Sequence, residues 1–296
     1  MSRPSERVSR RRFLGAAAAA AAGGIAAFSA ADQKKPRLPK RKLGRTGLKV
    51  SVIGYGSEFM EDEALPRHIL DRGVNHIDCA ALYQNGNVER KLAPILAHNK
   101  HIIIATKCRT PQDGSGTKEM FLRSFEQSLQ RLQRDSLDIF YVHDCRTPQA
   151  VETHGAREAL DELREAGRIK CTGMSTHLRQ DECVLKAIEL GWYDVLLVGW
   201  SFASPKPHTE ALKRAADAGI GIMTMKACKT LTAGRDWWAR AAPQQIAHLE
   251  QSMGEGGKWN PYQQSIRWSL SHDFVSAVVI AMRSYEEVNE DLAAAR

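Results

Sequence analysis

Residues 102–143 read IIIATKCRTPQDGSGTKEMFLRSFEQSLQRLQRDSLDIFYVH. The stretch begins and ends with the apolar runs Ile102–Thr106 and Leu137–Val142, which are typical of parallel strands buried on both faces. Between these runs, Lys118–Gln133 carries apolar side chains at helical spacing, namely Met120, Phe121, Phe125, Leu129 and Leu132. The stretch is therefore predicted to form a strand, a helix and a second strand.

The same alternation of strands and helices continues along the chain. Six more strands are predicted, at Val50–Tyr55, Val74–Ile77, Ile169–Met174, Val195–Gly199, Ile220–Met225 and Ala277–Ile280. Seven more helical patterns are predicted, at Glu63–Arg72, Val88–Ala97, Ala156–Ala166, Asp181–Leu190, His208–Ala218, Tyr262–Leu270 and Tyr285–Ala295. Eight strand–helix units predict an α/β fold, a single-domain (β/α)8 TIM barrel. Glycine turns over Lys42–Leu48 predict a β-hairpin that precedes it.

A doubly wound open sheet is the alternative to the barrel. That fold would call for a GxGxxG turn after its first strand. Here Gly54-Tyr55-Gly56 is followed by Ser57, Glu58 and Phe59, so the third glycine is missing. The barrel is therefore favoured.

The chain has 296 residues and an ordinary globular composition, 43% hydrophobic and 26% charged. Much of its formal charge of +8 lies in residues 1–31, and the body shows no basic stripe with interleaved aromatic residues. A nucleic-acid partner is therefore not predicted. The six cysteines form no CxxC pair, and the sequence lacks the His/Asp clusters of a metal-dependent hydrolase, so no metal site is predicted either.

The first 31 residues are typical of an export signal. Ser9-Arg10-Arg11-Arg12-Phe13-Leu14 precedes an alanine-rich run that ends in small residues, which resembles a twin-arginine signal. The run is too weakly apolar to predict a permanent membrane span. Residues 32–41 are interpreted as a solvated Pro/Lys linker, and the barrel domain as 42–296. The expected partner is the twin-arginine (Tat) export machinery, and the expected location is the periplasm or the extracellular space.

Four polar residues lie at or just beyond the ends of three successive predicted strands. Asp78 follows the second strand, Tyr83 lies on the loop after it, Lys107 ends the third strand and His143 ends the fourth. A barrel presents its catalytic groups at this end. A lysine ammonium would lower the pKa of a tyrosine, and an aspartate would balance the lysine charge. The set predicts a proton donor and acceptor, Tyr83, supported by Asp78, Lys107 and His143.

With these residues in place, Lys42–Arg296 resembles the aldo-keto reductase family. The opening Lys-Leu-Gly-Arg-Thr-Gly-Leu resembles the family's N-terminal hairpin, and Asp78, Tyr83, Lys107 and His143 match its catalytic tetrad. The resemblance implies an NADPH-dependent oxidoreductase that interconverts a small-molecule carbonyl (an aldehyde, a ketone or a sugar) and an alcohol. The cofactor would lie across the C-terminal mouth of the barrel.

The resemblance also implies cofactor-binding positions. Ser175 and Thr176 match a pair that holds the nicotinamide amide, and Trp200 stands where the family has a stacking tyrosine. Met225 and Lys226 match the pyrophosphate segment, and Arg283 and Ser284 match the pair that meets the adenosine 2′-phosphate. The chain departs from the family pattern at four positions: Thr176 for Asn, Leu197 for Gln, Glu287 for Gln or Arg, and Asp291 for Asn.

The two carboxylates Glu287 and Asp291 would repel a 2′-phosphate, so NADH is the alternative cofactor. A cofactor-binding barrel that acts as a sensor or partner subunit with little turnover is the alternative function. The long segment Ala227–Asn260, with an extra helix at Pro243–Met253 and the pair Trp237-Trp238, is expected at the functional face. Strand alternation predicts that Cys79 and Cys108 face the helices and that Cys145 can share the face of His143.

Overall fold

The computed structural model describes residues 38–231, 241–253 and 258–296. The predicted export signal, most of the predicted linker and the pair Trp237-Trp238 lie outside the described residues. Pro36–Arg296 form one compact unit. No helix in the described ranges is long and apolar enough to cross a membrane.

Within the described residues, ten strands form two sheets. Their bounds are β1 Lys40–Lys42, β2 Lys49–Ser51, β3 Ile53–Gly56, β4 His76–Asp78, β5 Ile103–Arg109, β6 Leu137–His143, β7 Ile169–Thr176, β8 Val195–Gly199, β9 Gly221–Met225 and β10 Ala277–Ile280. Strands β3 to β10 are parallel and close into a barrel in which β10 pairs with β3. The predicted (β/α)8 barrel is confirmed.

Ten helices are described. Their bounds are α1 Ala64–Asp71, α2 Asn87–His98, α3 Lys118–Leu132, α4 Pro148–Val151, α5 His154–Glu165, α6 Gln180–Leu190, α7 Lys206–Asp217, α8 Pro243–Ser252, α9 Pro261–Leu270 and α10 Tyr285–Ala293. Helix α8 is the extra helix predicted in the long segment after β9. The side chain of Thr117 caps the first turn of α3, and Gln133 ends that helix in the left-handed conformation.

The predicted first strand, Val50–Tyr55, proves to be two strands. Its first half belongs to β2, which pairs antiparallel with β1, and its second half belongs to the barrel strand β3. The hairpin prediction is confirmed, but its first strand begins at Lys40, inside the segment interpreted as linker. Arg41 is accordingly not solvated linker, because its guanidinium donates at 2.7 Å to the carbonyls of both Leu270 and Val275.

Alternation along the strands divides the core into two layers. An inner cluster fills the barrel and comprises Leu43, Val50, Ile103, Ala105, Ile139, Tyr141, Cys171, Val195, Leu197, Met223, Ala277 and Val279. The intervening strand residues pack against the helices. Leu43 and Val50 come from the hairpin, so the hairpin closes the N-terminal end of the barrel. The opposite, C-terminal end is the open mouth.

Gly44 allows the hairpin to approach the barrel wall closely. It has a φ of +51°, and a Cβ atom there would lie 2.3 Å from the backbone nitrogen of Gly221 at the start of β9. The neighbouring Arg45 N–H donates to the Gly219 carbonyl at 2.8 Å. A side chain at position 44 would therefore have to push backbone away from backbone.

Candidate active site

The inward faces of β4, β5 and β6 bring three of the predicted residues together at the mouth. In β6 the alternation puts Ile139, Tyr141 and His143 on the inner face, and in β5 it puts Ile103, Ala105 and Lys107 there. Asp78 ends β4 beside them. Tyr83 reaches the same place from a short 3-10 turn, Tyr83–Gly86, in the loop after β4.

The Lys107 ammonium is the centre of this group. It donates at 2.6 Å to the Asp78 carboxylate, at 2.6 Å to the Cys79 carbonyl and at 3.4 Å to the Tyr83 hydroxyl. The lysine is almost completely buried, with 1% of its surface exposed. Its charge is therefore held by a carboxylate and by fixed dipoles rather than by water.

The rings of Tyr83 and His143 lie edge to face, with their centroids 6.3 Å apart. His143 is buried, and its Nδ1 has no hydrogen-bond partner within the described part of the chain. Tyr83 is half-buried. The Tyr83 hydroxyl thus lies between a cation and a buried imidazole at the edge of the mouth. In this position it can meet the oxygen of a bound carbonyl compound.

Burial controls the protonation of both rings. Burial, followed by the Asp78 carboxylate, raises the pKa of Tyr83 well above its ordinary value. The pKa of Tyr83 therefore does not fall below its ordinary value, as the proximity of Lys107 had suggested, because burial and the Asp78 carboxylate raise it. Burial, and then the positive charge of Lys107, lowers the pKa of His143 well below its ordinary value. The site consequently holds a neutral imidazole and a protonated phenol at neutral pH.

The predicted nicotinamide contacts are only partly assembled. The Ser175 hydroxyl accepts a hydrogen bond of 3.1 Å from the Asp144 N–H, which leaves its own hydrogen free to donate. The Thr176 hydroxyl is fully buried and donates to the Leu178 carbonyl at 2.9 Å. Thr176 follows Ser175 directly and takes the opposite strand face. Of the two, Ser175 is the residue placed to meet a ligand in the mouth.

Trp200 does not stack on anything in the mouth, which corrects its predicted role. It lies outside the barrel with Leu196 and Val198 and is fully buried. Its ring packs on Trp268 at a centroid distance of 4.5 Å, and its Nε1 donates to Thr209 at 3.0 Å. Strand alternation gives the reason, since Leu197 two residues before the end of β8 faces inward and Trp200 has the opposite parity.

Met225 and Lys226 lie at the mouth as predicted. Met225 packs against the inner cluster at the end of β9. Lys226 follows in the left-handed conformation, with a φ of 65°. Burial, and then the charge of Lys226, lowers the pKa of the nearby His177 to about 3. His177 was not predicted, although its place directly after the end of β7 could have suggested it.

The predicted adenosine end is built around the start of α10. Ser284 caps the helix by accepting from the Glu287 N–H at 3.1 Å, and the Glu287 carboxylate accepts from the Arg283 N–H at 2.9 Å. The two hydrogen bonds fix the first turn of α10 and the residue before its cap, Arg283. The Arg283 guanidinium lies 3.9 Å from the ring centre of Phe59. Asp291 is fully buried, so Glu287 is the more accessible of the two carboxylates.

The side chains at these predicted cofactor positions have the chemistry needed to bind a nicotinamide dinucleotide. Ser175 offers a donor for an amide oxygen, and Lys226 and Arg283 offer cations on the β9 and β10 side of the mouth. Within the described residues, no group of three or more His, Cys, Asp or Glu side chains could hold a metal ion.

The cysteines near the site face away from it. Cys79 and Cys108 pack among the helices, as predicted. Cys145 does so too, which corrects the expectation that it shares the face of His143, and its thiol lies 3.6 Å from the Ala150 carbonyl. The intervening Asp144 has a φ of +60°, so the strand alternation breaks between His143 and Cys145.

Two charged residues at the mouth were not predicted as part of the site. Arg109 has the same strand parity as Lys107 and is paired in register with His143. Arg146 donates to the Asp144 carboxylate at 2.6 Å. The spacing of Arg109 from Lys107 was a usable signal, because residues two apart on a strand share a face.

Comparisons with known proteins agree with this geometry. The L-galactose dehydrogenase of Arabidopsis thaliana is 27% identical over 87% of this chain and 88% of its own length. The pyridoxal 4-dehydrogenase of Microbacterium luteolum is 25% identical over 86% and 92%. The solved structure of aldo-keto reductase AKR11C1 from Bacillus halodurans has a TM-score of 0.73 at 23% identity and covers 87% of this chain and 91% of its own.

The family comparison covers most of the chain. The model of the Aldo/keto reductase family matches residues 56–296, which span every barrel strand from the end of β3 onward and all four residues of the tetrad. The shared barrel and the site at its mouth extend through the same residues. This chain belongs to the aldo/keto reductase family.

Proposed function

We propose that the protein is an NAD(P)H-dependent oxidoreductase that interconverts a carbonyl compound and an alcohol, with Tyr83 as the general acid and base. One observation carries the proposal: the Lys107 ammonium joins the Asp78 carboxylate to the Tyr83 hydroxyl inside the mouth. Two relatives, the L-galactose dehydrogenase and the pyridoxal 4-dehydrogenase, support an aldehyde or sugar as substrate.

In the proposed reaction a reduced nicotinamide supplies the hydride that adds to the carbonyl carbon. As the carbonyl π electrons move onto the oxygen, Tyr83 donates its proton there, and an alcohol results. Lys107 stabilises the negative charge left on the phenol oxygen, and solvent later returns the proton. The neutral imidazole of His143 orients the same oxygen by a hydrogen bond. In the oxidation direction Tyr83 accepts the proton.

The residues proposed to hold the cofactor are Ser175 at the amide end and Met225, Lys226, Arg283 and Ser284 along the dinucleotide. NADPH is expected from the family, whereas the Glu287 carboxylate beside Arg283 favours NADH. Both cofactors therefore belong in the first test.

The decisive experiment uses the mature protein and the variant Tyr83→Phe. Absorbance at the nicotinamide band follows the oxidation of NADPH or NADH with a panel of aldehydes, ketones and sugars. We expect the variant to lose about 10²- to 10⁴-fold in kcat while its cofactor Kd changes little. Full activity in the variant would refute the role of Tyr83. Tight cofactor binding without turnover in the unmodified protein would indicate a sensor or partner subunit instead.

We also propose that residues 1–31 direct export through the twin-arginine machinery to the periplasm or beyond. The proposal rests on the pair Arg10-Arg11 before the alanine-rich run. Fusion of these residues to a fluorescent protein in a bacterial host should place fluorescence outside the cytoplasm. The substitutions Arg10→Lys and Arg11→Lys together should retain it inside, and unchanged export would refute the assignment.

A further inference from the structure

Arg109 is a cation at the mouth whose charge is poorly compensated. Its nearest carboxylate, Asp144, lies 3.7 Å away and is already bound by Arg146 at 2.6 and 3.0 Å. The Arg109 side chain is 53% exposed, whereas that of Asp144 is only 10% exposed. One carboxylate therefore serves two guanidinium groups, and the more exposed of the two retains the ability to bind an anion.

Arg109 also points toward the reacting groups. It follows Lys107 by two residues on β5, so the two side chains share a strand face, and it is opposite His143 in the register with β6. It contributes to the positive potential that lowers the pKa of His143, together with Lys107 and Arg146. The Glu58 carboxylate has the opposite sign: after burial, it helps to raise the pKa of Asp78 and of Tyr83.

A cleft of about 490 Å³ lies beside these residues. Its lining includes Ala81, Leu82, Lys107, Arg109, Met120 and Arg123. The volume is in the range that holds small molecules. Leu82 and Met120 offer apolar surface, and Arg109 and Arg123 offer two positive charges against the one negative charge of Glu119, which also lines the cleft. The cleft suits a compound with a short carbon skeleton and an anionic end.

The position of Arg109 separates it from the residues proposed for the cofactor. Those residues lie on β7 and β9 and after β10, whereas Arg109 ends β5, across the barrel from β9 and β10. The charge of Arg109 is therefore available to a substrate rather than to the dinucleotide phosphates.

We propose that Arg109 is a specificity-determining residue that binds a carboxylate or phosphate group on the carbonyl substrate. The proposal rests on the proposed oxidoreductase function. A guanidinium binds both anions through paired N–H donors. It holds the anionic end of the substrate while the carbonyl oxygen meets Tyr83.

The test compares substrates that differ only in charge. The pairs are 4-formylbenzoate with its methyl ester, succinic semialdehyde with butanal, and glyceraldehyde 3-phosphate with glyceraldehyde. We expect kcat/KM to favour the charged member by about tenfold or more. The preference should weaken as salt is added. The first two pairs report on a carboxylate and the third on a phosphate. If the enzyme converts the neutral aldehydes and no charged member has a higher kcat/KM than its neutral partner, this proposal is overturned and the proposed function stands.

Variants at position 109 test whether the preference for charged substrates comes from Arg109. Arg109→Gln should lower the charged-to-neutral ratio of kcat/KM by about tenfold, mainly through KM, and Arg109→Lys should retain part of it. Arg157→Gln is the matched control, because Arg157 lies on α5, is similarly exposed and pairs with Asp161. An unchanged ratio in Arg109→Gln would refute the assignment.

Calorimetric titration with 4-formylbenzoate provides a readout that does not depend on turnover. We expect binding to the unmodified protein and about tenfold weaker binding to Arg109→Gln. No difference between the two proteins would overturn the proposal even if neither turns over any substrate. Circular dichroism of each variant establishes that it is folded.

Discussion

The Lys107 ammonium lies 2.6 Å from the Asp78 carboxylate, and both groups are buried in the mouth of the barrel. Each charge there is tolerated because of the other. This dependence makes the pair as important for stability as for the proposed chemistry, and the two contributions can be separated by substitution.

Replacing Lys107 with Met should destabilise the fold. The change leaves the Asp78 carboxylate buried without its cation, and breaking a buried pair in this way costs about 3–5 kcal/mol. Urea unfolding measures the loss. The double variant Asp78→Asn with Lys107→Met removes both charges and should recover a large part of the stability without recovering activity. If the double variant is less stable than Lys107→Met alone, the pair is not the source of the loss.

The pH dependence of the two reaction directions should differ. Because burial and Asp78 raise the pKa of Tyr83 well above 10, the phenol stays protonated from neutral pH to beyond pH 9. Reduction, which needs the proton, should therefore have a flat kcat between pH 7 and 9. Oxidation, which needs the phenolate, should rise across the same range. Steady-state rates in both directions give the two profiles, and a fall in reduction near pH 8 would contradict the assignment of Tyr83 as the acid.

The substitution Glu287→Gln should shift cofactor preference toward NADPH. It removes the negative charge beside Arg283, whereas the Gln amide oxygen can still accept the hydrogen bond from the Arg283 N–H. The ratio of the Kd values for NADPH and NADH should fall by about five- to tenfold, the effect of roughly 1 kcal/mol. Fluorescence of the bound reduced cofactors measures both constants. An unchanged ratio would show that Glu287 does not meet the 2′-phosphate.

Gly44→Ala should destabilise the protein by about 3 kcal/mol or more, because the added Cβ would contact the backbone of β9 and the residue has a positive φ. Gly47→Ala is the matched control, since Gly47 has a φ of +79° with open space around it and should cost only about 1–2 kcal/mol. Thermal and urea unfolding compare the two. Similar losses in both variants would mean that the close approach at Gly44 contributes nothing.

The barrel was predictable because parallel strands buried on both faces require apolar runs, and helical patterns alternate with those runs along the chain. The first strand was the exception. Val50–Tyr55 is apolar except for Ser51. Its pattern does not show that Val50 pairs with the hairpin strand β1 whereas Ile53 pairs with the barrel strand β10.

The tetrad was predictable for a simpler reason, since Asp78, Lys107 and His143 end adjacent strands and Tyr83 follows the first of them. The errors occurred where a single backbone angle or strand parity decides the outcome. The stacking role of Trp200 was predicted from the family resemblance alone. Trp200 follows β8 directly, and the alternation of that strand turns its ring outward onto Trp268. The left-handed conformation of Asp144 redirects Cys145. Aspartate adopts this conformation more often than most residues, but residue type alone does not show at which aspartate it occurs.

The hairpin that places Leu43 and Val50 in the lower end of the barrel also has a kinetic consequence. With that end filled, Tyr83 is approached from the C-terminal mouth in the part of the chain that the structure describes, and we expect products to leave along the path by which reactants enter. Oxidised dinucleotide and product alcohol would share that path with the incoming reactants.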